Sequence, residues 1–427
     1  MPSKNSNRTA LQVFVLLVTV VCFSLFMIYF GSVPVNTVAI LSFATVLCGA
    51  LMLGFAAEAA EFIVSQGFAV AVVALLQVLP EFMVEGVIAY EGKVSLITAN
   101  LTGSNRLLMG VGWTLVFFTA FASHGRGKGL RFCVKLRREN VVEALFLILA
   151  SLYFVVIILK ERIWFEDTVV LGCLFVAYML TLLRLPPEEE EGLESLPVPS
   201  RTLVSIGNKK KRVLAIVSLF VAGGVAMLLV AHPFLEGMEA LSLTFGVATF
   251  VFVQWVAPFL TEIPEKITAF YWALSEHNAH MGLTNLISSK VNQWTALVAM
   301  VPVAYSLSPE CKGPIHLDAH QTEEVILSMV MSLYGGIACL KRRLSFGNAL
   351  ALLGLWTVQF LFPGRFGEAQ YPDAGWLLAS WRGITTLLFA ILCIFEAIRY
   401  KSEIALVSDI SFVLERIRNG RRRRENH

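Results

Sequence analysis

Apolar runs of about 20 residues follow one another from end to end of this chain, separated by short charged or proline-marked turns. A helix rises about 1.5 Å per residue, so each run is long enough to cross a hydrocarbon core of roughly 30 Å. Read between their punctuation, the runs lie near 11–30, 34–55, 62–90, 95–122, 141–159, 164–184, 213–232, 238–275, 282–307, 323–340, 345–362 and 376–398. Hydrophobic residues make up 56% of the 427 and charged residues only 15%, against about 25% charged in a soluble domain. The expected fold is an all-α polytopic membrane protein with about 12 transmembrane helices, and the lipid bilayer is its first partner.

The excess of positive charge is small, +3, and it sits in short inter-span loops, where lysine and arginine set orientation. No nucleic-acid signal is read from it. The loop at 123–140, the KKKR at 209–212, the KRR at 341–343 and the arginine-rich tail all fall on one side when the spans alternate. The expectation is an integral protein of the cell membrane with both termini cytoplasmic. Seven cysteines are scattered, mostly within spans, with no C-x-x-C and no zinc-ligand spacing, so they read as small core residues. The first run is too long for a signal-peptide core and no A-x-A-like site follows it, so it reads as an anchor. No H-E-x-x-H, G-x-S-x-G or paired intramembrane aspartates occur, so an enzyme is not expected.

A similarity between the third and eighth spans carries the chemistry. LLQVLPEFMVEGVIAYEGKVSLITANLTGSNRLL and PFLTEIPEKITAFYWALSEHNAHMGLTNLISSKVNQW each break an apolar helix at a Pro-Glu pair, Pro80-Glu81 or Pro264-Glu265. A polar turn follows, and then a helix with Asn100 and Ser104, or Asn285 and Ser289. Glutamate and serine are 23 residues apart in one and 24 in the other. The third span runs outward and the eighth inward, so the similarity reads as an inverted repeat, the mark of alternating-access transporters with ion sites at the midplane. A proline frees carbonyls one turn earlier, which a membrane tolerates only where they line a cavity. A glutamate at that depth costs about 2.5–3.5 kcal/mol on the mildest scale unless it is compensated. Two such glutamates brought together by symmetry suit a divalent cation with hard oxygen ligands, Ca²⁺ above all.

These segments resemble the two alpha-repeats of the calcium:cation antiporter superfamily, the sodium/calcium exchanger type, whose pattern reads approximately G-T-S-L-P-E and then G-N-V-x-G-S-N-x-x-N. The resemblance implies a core of ten helices in two inverted sets of five, here with one extra helix at each end. It also implies that Glu81 and Glu265 bind the cation, with Thr261, Ser104 and Ser289 as neighbouring ligands. Gln77 and Val78 stand where the first repeat has Thr-Ser, Glu262 replaces a serine, Lys290 replaces an asparagine, and Arg106 enters an apolar position. Leu108 and Gln293 stand where the family has a further amide or acid. These positions belong to the family's sodium sites, so the driving ion is expected to be H⁺ rather than Na⁺.

Other acids are read beside their simpler explanations. Glu85, one turn after Glu81, is a second ligand or proton site, or else faces a wet vestibule. Glu262 is a candidate ligand, but Lys266 at i+4 makes a helical ion pair the favoured reading. Glu81 and Glu265 themselves have a structural alternative, a buried pair held by Arg106 or Lys290. Glu58 and Glu61 read as acids at the entrance of the third span, His277 and His280 as a solvated turn, and Cys311, His316, Asp318, His320, Glu323 and Glu324 as an exposed outer loop. The organisation expected is an extra helix in 1–33, a first repeat over 34–184 with motif helices 62–122, a cytoplasmic linker over 185–212, a second repeat over 213–362 with motif helices 238–307, and a last helix with basic tail over 363–427. The function expected is a cation antiporter exchanging Ca²⁺ against H⁺ or Na⁺, with these ions as cargo and no cofactor. The alternatives are a degenerate member that binds or senses an ion, and a transporter of another solute on the same scaffold.

Overall fold

The computed structural model describes residues 4–61, 78–185, 196–276, 278–309, 311, 313–362, 380–401 and 406–425. Gln77, His277 and the first part of the third span, 62–77, lie outside the described residues. Eight helical stretches among those described are long and apolar enough to cross a membrane, and Thr249–Thr261 and Phe346–Leu361 are shorter apolar helices.

In order, the first half comprises α1 (Lys4–Phe30), α2 (Val35–Glu61), α3 (Leu79–Tyr90), α4 (Val94–Leu107), α5 (Thr114–Ala120), α6 (Val141–Lys160) and α7 (Phe165–Arg184). A short α8 (Val198–Val204) leads into the second half, which comprises α9 (Lys209–Phe245), α10 (Thr249–Thr261), α11 (Ile263–Ala273), α12 (Ala279–Asn292), α13 (Val298–Ser306), α14 (Ala319–Leu340) and α15 (Phe346–Leu361). Two further helices, α16 (Trp381–Arg399) and α17 (Leu406–Glu425), follow.

The two halves repeat one another in detail. The π turn Leu108–Trp113 joins α4 to α5, and the π turn Gln293–Leu297 joins α12 to α13. Such turns insert one residue into the helical ladder and often mark functional sites. Glu161 ends α6 in the left-handed region (φ 51°), and Arg342 follows α14 in the same conformation (φ 56°). Asp167 caps α7 by accepting the Trp164 amide at 2.8 Å, and Asn348 caps α15 by accepting the Ser345 amide at 3.3 Å. Two short antiparallel pairs then exchange between halves. Strand β1 (Cys133–Lys135) pairs with β4 (Arg343–Ser345), and β2 (Arg162–Ile163) pairs with β3 (Ile315–His316). Each pair joins the end of one motif helix to the next hairpin of the other half. Because α6 lies between β1 and β2, the pairs sit at opposite ends of the bundle.

Packing obeys the same exchange. The short helix α3 packs on α13 and α11 packs on α5, so each broken helix is supported by the opposite repeat, while α2 and α9 make the most extensive helix pair. The main core runs through both halves, with Trp113, Phe117, Phe154, Trp294 and Leu352 fully buried. A smaller cluster of Leu17, Val21, Met52, Leu203 and Leu219 fastens α1 and α8 to α2 and α9.

Three expectations are corrected. The seventh span does not end near 232: α9 runs through Pro233 to Phe245 and stops at Gly246, whose φ of 65° caps the helix without a Cβ penalty. The linker is not wholly solvated, because Pro199, Ser200, Leu203 and Val204 of α8 are buried. Asp318, His320, Glu323 and Glu324 do not share an exposed loop. Asp318 caps α14 by accepting the Gln321 amide at 2.8 Å, and Glu323 and Glu324 are buried within that helix.

Candidate functional site

Both motif glutamates are placed by prolines at helix starts. Pro80 lies in the first turn of α3 and Pro264 in the first turn of α11. A proline there loses nothing, because its missing N–H has no helical partner and its φ is preset. Pro264 leaves the Leu260 carbonyl without its helical donor, so α10 ends at Thr261, Glu262 turns the chain (φ −95°, ψ 2°), and α11 begins at Ile263. Glu81 and Glu265 follow directly. Each therefore stands in the first turn of a helix, where the macrodipole favours a carboxylate. Both are buried, at 2% and 3% exposure.

Around Glu81 the two repeats meet. Ser104 donates to Glu81 Oε1, and Gln293 Nε2 donates to Glu81 Oε2 at 2.9 Å. The same amide nitrogen donates to Glu262 Oε1 at 3.0 Å, and Lys266 pairs with Glu262 Oε2. Ser289 is a hydrogen-bond partner of Glu265, and Glu81 and Glu262 lie within electrostatic reach of Glu265. Glu85 Oε2 accepts from Asn100 Nδ2 at 2.7 Å. Close approach of α4 and α10 is enforced at Gly103, where a Cβ would stand 1.9 Å from the Gln254 carbonyl oxygen.

Other candidates fall outside this constellation. Thr261 donates its hydroxyl to Ala257 O of its own helix at 3.1 Å. Asn285 is half-buried, with its Nδ2 buried and unpartnered. Glu58 is buried near the end of α2, accepting from Ser200 at 2.5 Å and from Thr268, and the start of the third span beyond it lies outside the described residues. His280 lies within α12 rather than in a turn.

Arg106 and Lys290 do not hold the motif glutamates. Lys290 donates to Asn105 O at 2.7 Å and lies 5.4 Å from the Trp294 ring centroid. Arg106 pairs with Glu324, donates to Gln359 Oε1 at 3.2 Å and lies over the Trp255 ring at 5.2 Å. Glu324 also accepts from Arg382 Nη1 at 2.7 Å and Gln254 Nε2 at 3.0 Å. This buried network ties α4, α10, α14, α15 and α16 together. Sequence reasoning missed it by assigning Glu324 to a loop, although a lone charge in each of several apolar spans was the available signal.

The donor set suits a hard cation. Glu265 Oε2, Glu85 Oε1, Gln293 Oε1, Asn100 Oδ1 and Asn105 Oδ1 are all buried oxygens without a hydrogen-bond partner, and oxygen acceptors left bare are what such an ion takes up. No three His, Cys, Asp or Glu side chains converge into a ready cage among the described residues. Amide, hydroxyl and carbonyl oxygens must complete any coordination.

The pairing of two broken-helix repeats has a direct counterpart. Residues 35–184 and 215–363 match the family described as "Sodium/calcium exchanger protein". The chain belongs to the sodium/calcium exchanger family. Members of that family are secondary transporters rather than enzymes. Among solved structures, this exchanger-family chain is similar to the H⁺/Ca²⁺ exchanger CAX, with 32% identity and a TM-score of 0.83 over 97% of this chain and 99% of that one. A structure of the sodium-calcium exchanger NCX_Mj soaked with Na⁺ and Sr²⁺ matches at 18% identity and a TM-score of 0.50, over 77% of this chain and 98% of that one, and shares the fold. None of the curated proteins matches the chain.

Proposed function

We propose that this exchanger-family member moves Ca²⁺ across the cell membrane in exchange for H⁺, by alternating access, with Glu81 and Glu265 as the charged ligands. The observation that carries the reading is the buried pair itself. Two glutamates at equivalent proline-started helices, each beside a serine of its own repeat, lie within electrostatic reach of each other.

Coordination then follows from the hydrogen bonds. Glu81 accepts from two neutral donors, Ser104 and the Gln293 amide. Rotation of that amide presents Gln293 Oε1, now unpartnered, and exchanges a donor for a ligand. Which end of an amide faces a site is set by its partners, so an arriving cation turns it. Ser104 and Ser289 offer lone pairs, and Glu85 with Asn100 forms a further polar pair one turn along α3. Protons replace the cation when it leaves, since crowded carboxylates at low dielectric are not left bare. Sodium coupling is disfavoured because apolar Val78 and Leu108 and cationic Lys290 occupy positions that would need neutral oxygens. The similarity at 32% identity to the H⁺/Ca²⁺ exchanger CAX supports the same choice.

The test is ⁴⁵Ca²⁺ uptake into proteoliposomes. An imposed pH gradient alone should drive accumulation, a protonophore should collapse it, and an imposed Na⁺ gradient should have no effect. Uptake driven by Na⁺ and not by the pH gradient would refute proton coupling. Saturable ⁴⁵Ca²⁺ binding without flux under any gradient would identify an ion-binding member that has lost exchange.

A further inference from the structure

The Glu262–Lys266 pair is not an ordinary helix-surface ion pair. Both side chains are buried, at 1% and 8% exposure. Its carboxylate shares one Gln293 amide nitrogen with Glu81, at 3.0 and 2.9 Å. Lys266 also directly follows Glu265 in the chain. Glu262, in turn, lies within electrostatic reach of both motif glutamates. The lysine side chain therefore sits inside the candidate cation site, paired with a carboxylate contiguous with the two that would bind the cargo.

We infer that Lys266 is a tethered cation that holds Glu262 in place of one exchangeable ion, and so sets how many monovalent ions are exchanged for each divalent one. The inference rests on the antiport reading above and adds the charge coupling to it. Four carboxylates, Glu81, Glu85, Glu262 and Glu265, and two ammonium groups, Lys266 and Lys290, are buried in this region, and Lys266 with Glu262 is the direct ion pair among them. Their formal charges leave two negative units, which one divalent cation or two monovalent cations neutralise. A site in low dielectric that binds either load returns to the same net charge, and each unit of uncompensated charge there is costly. Exchange is then electroneutral. Without Lys266, Glu262 would demand a further mobile cation in each empty-site transit.

Lys290 counts in the same total and lies within electrostatic reach of Glu262 and Glu81, but it pairs with no carboxylate of the site. Its ammonium is satisfied by the Asn105 carbonyl and the Trp294 ring, a fixed bridge between α12 and α4. Lys266 contacts a carboxylate of the site itself.

The experiment measures coupling charge. Purified protein is reconstituted in proteoliposomes, membrane potential is clamped with K⁺ and valinomycin, and ⁴⁵Ca²⁺ flux is followed under a fixed pH gradient. Wild-type flux should be indifferent to the potential. Lys266→Gln should acquire a dependence equivalent to one elementary charge per divalent ion, with uptake favoured by an inside-positive potential. Glu262→Gln, which keeps the lysine, should show one charge of the opposite sign. The double substitution Glu262→Gln with Lys266→Gln removes the pair together and should restore indifference to potential. If Lys266→Gln fails to fold, the Glu262→Gln and double variants read the same charge. Flux in folded single variants that stays indifferent to potential would overturn the inference while leaving antiport intact. No divalent flux in the wild type under any gradient would instead refute antiport itself.

Discussion

Gln293 donates one amide nitrogen to two carboxylates that come from different repeats, a bridge that no local pattern announces. Its replacement by leucine keeps the volume and strips donors from Glu81 Oε2 and Glu262 Oε1. Leaving buried acceptors bare costs about 1–3 kcal/mol, so Gln293→Leu should lower thermal stability in detergent and weaken ⁴⁵Ca²⁺ binding about tenfold. Glu81→Gln and Glu265→Gln should act differently. Each retains shape but removes a ligand charge worth about 4 kcal/mol per unit of cargo charge at 4 Å in an effective dielectric of 20. Calcium affinity should fall by at least about two to three orders of magnitude while the melting temperature stays near wild type. Normal transport by Glu81→Gln would remove that residue from the site.

Pro264 shows why α10 and α11 are two short helices rather than one long span. Pro264→Ala restores an N–H opposite the Leu260 carbonyl and invites α10 and α11 to fuse, which would carry Glu262 and Glu265 onto one continuous helical face. Transport should be lost from a protein that still folds, as judged by gel filtration and melting. Gly103 reports how closely α4 and α10 pack. A methyl there meets the Gln254 carbonyl oxygen, and because that atom is backbone the helices must part. Overpacking of this kind costs about 1–3 kcal/mol, so Gly103→Ala should lower the melting temperature. Glu161 makes the opposite case. Its φ of 51° is strained for any residue with a Cβ, and Glu161→Gly should raise stability by up to about 1 kcal/mol.

For the assembled chain, the exchange of strands between halves is the clearest sign of inverted duplication. β1 pairs with β4 at one end and β2 with β3 at the other, and the single helix α6 crosses between them. Tags placed in 123–140, in the 185–212 segment and at the C-terminus should report one side of the membrane, and a tag near Cys311 should report the other. Protease protection in sealed vesicles decides this. A split among the first three tags would break the opposed directions on which the proposed symmetric ion site depends.

The helical class, most apolar spans and the Pro-Glu helix starts were legible in the residues because each depends on local physics: apolar length, proline's missing donor, and the cost of a buried charge. Ser104 and Glu81 could be matched for the same reason, since their spacing repeats in the second half. The partners that cross between repeats were not legible. Gln293 reaches Glu81 across 212 residues, Arg106 reaches Glu324 across 218, and Ser200 reaches Glu58 across 142. The 185–212 segment read as a linker because composition does not record that Pro199, Ser200, Leu203 and Val204 of α8 are buried. Helix identity is settled over a few turns of chain by propensity and transfer energy. Which buried carboxylate meets which donor depends on helix packing in three dimensions, so only the tertiary structure decided that Lys266 and Gln293 share the site while Arg106 belongs to another.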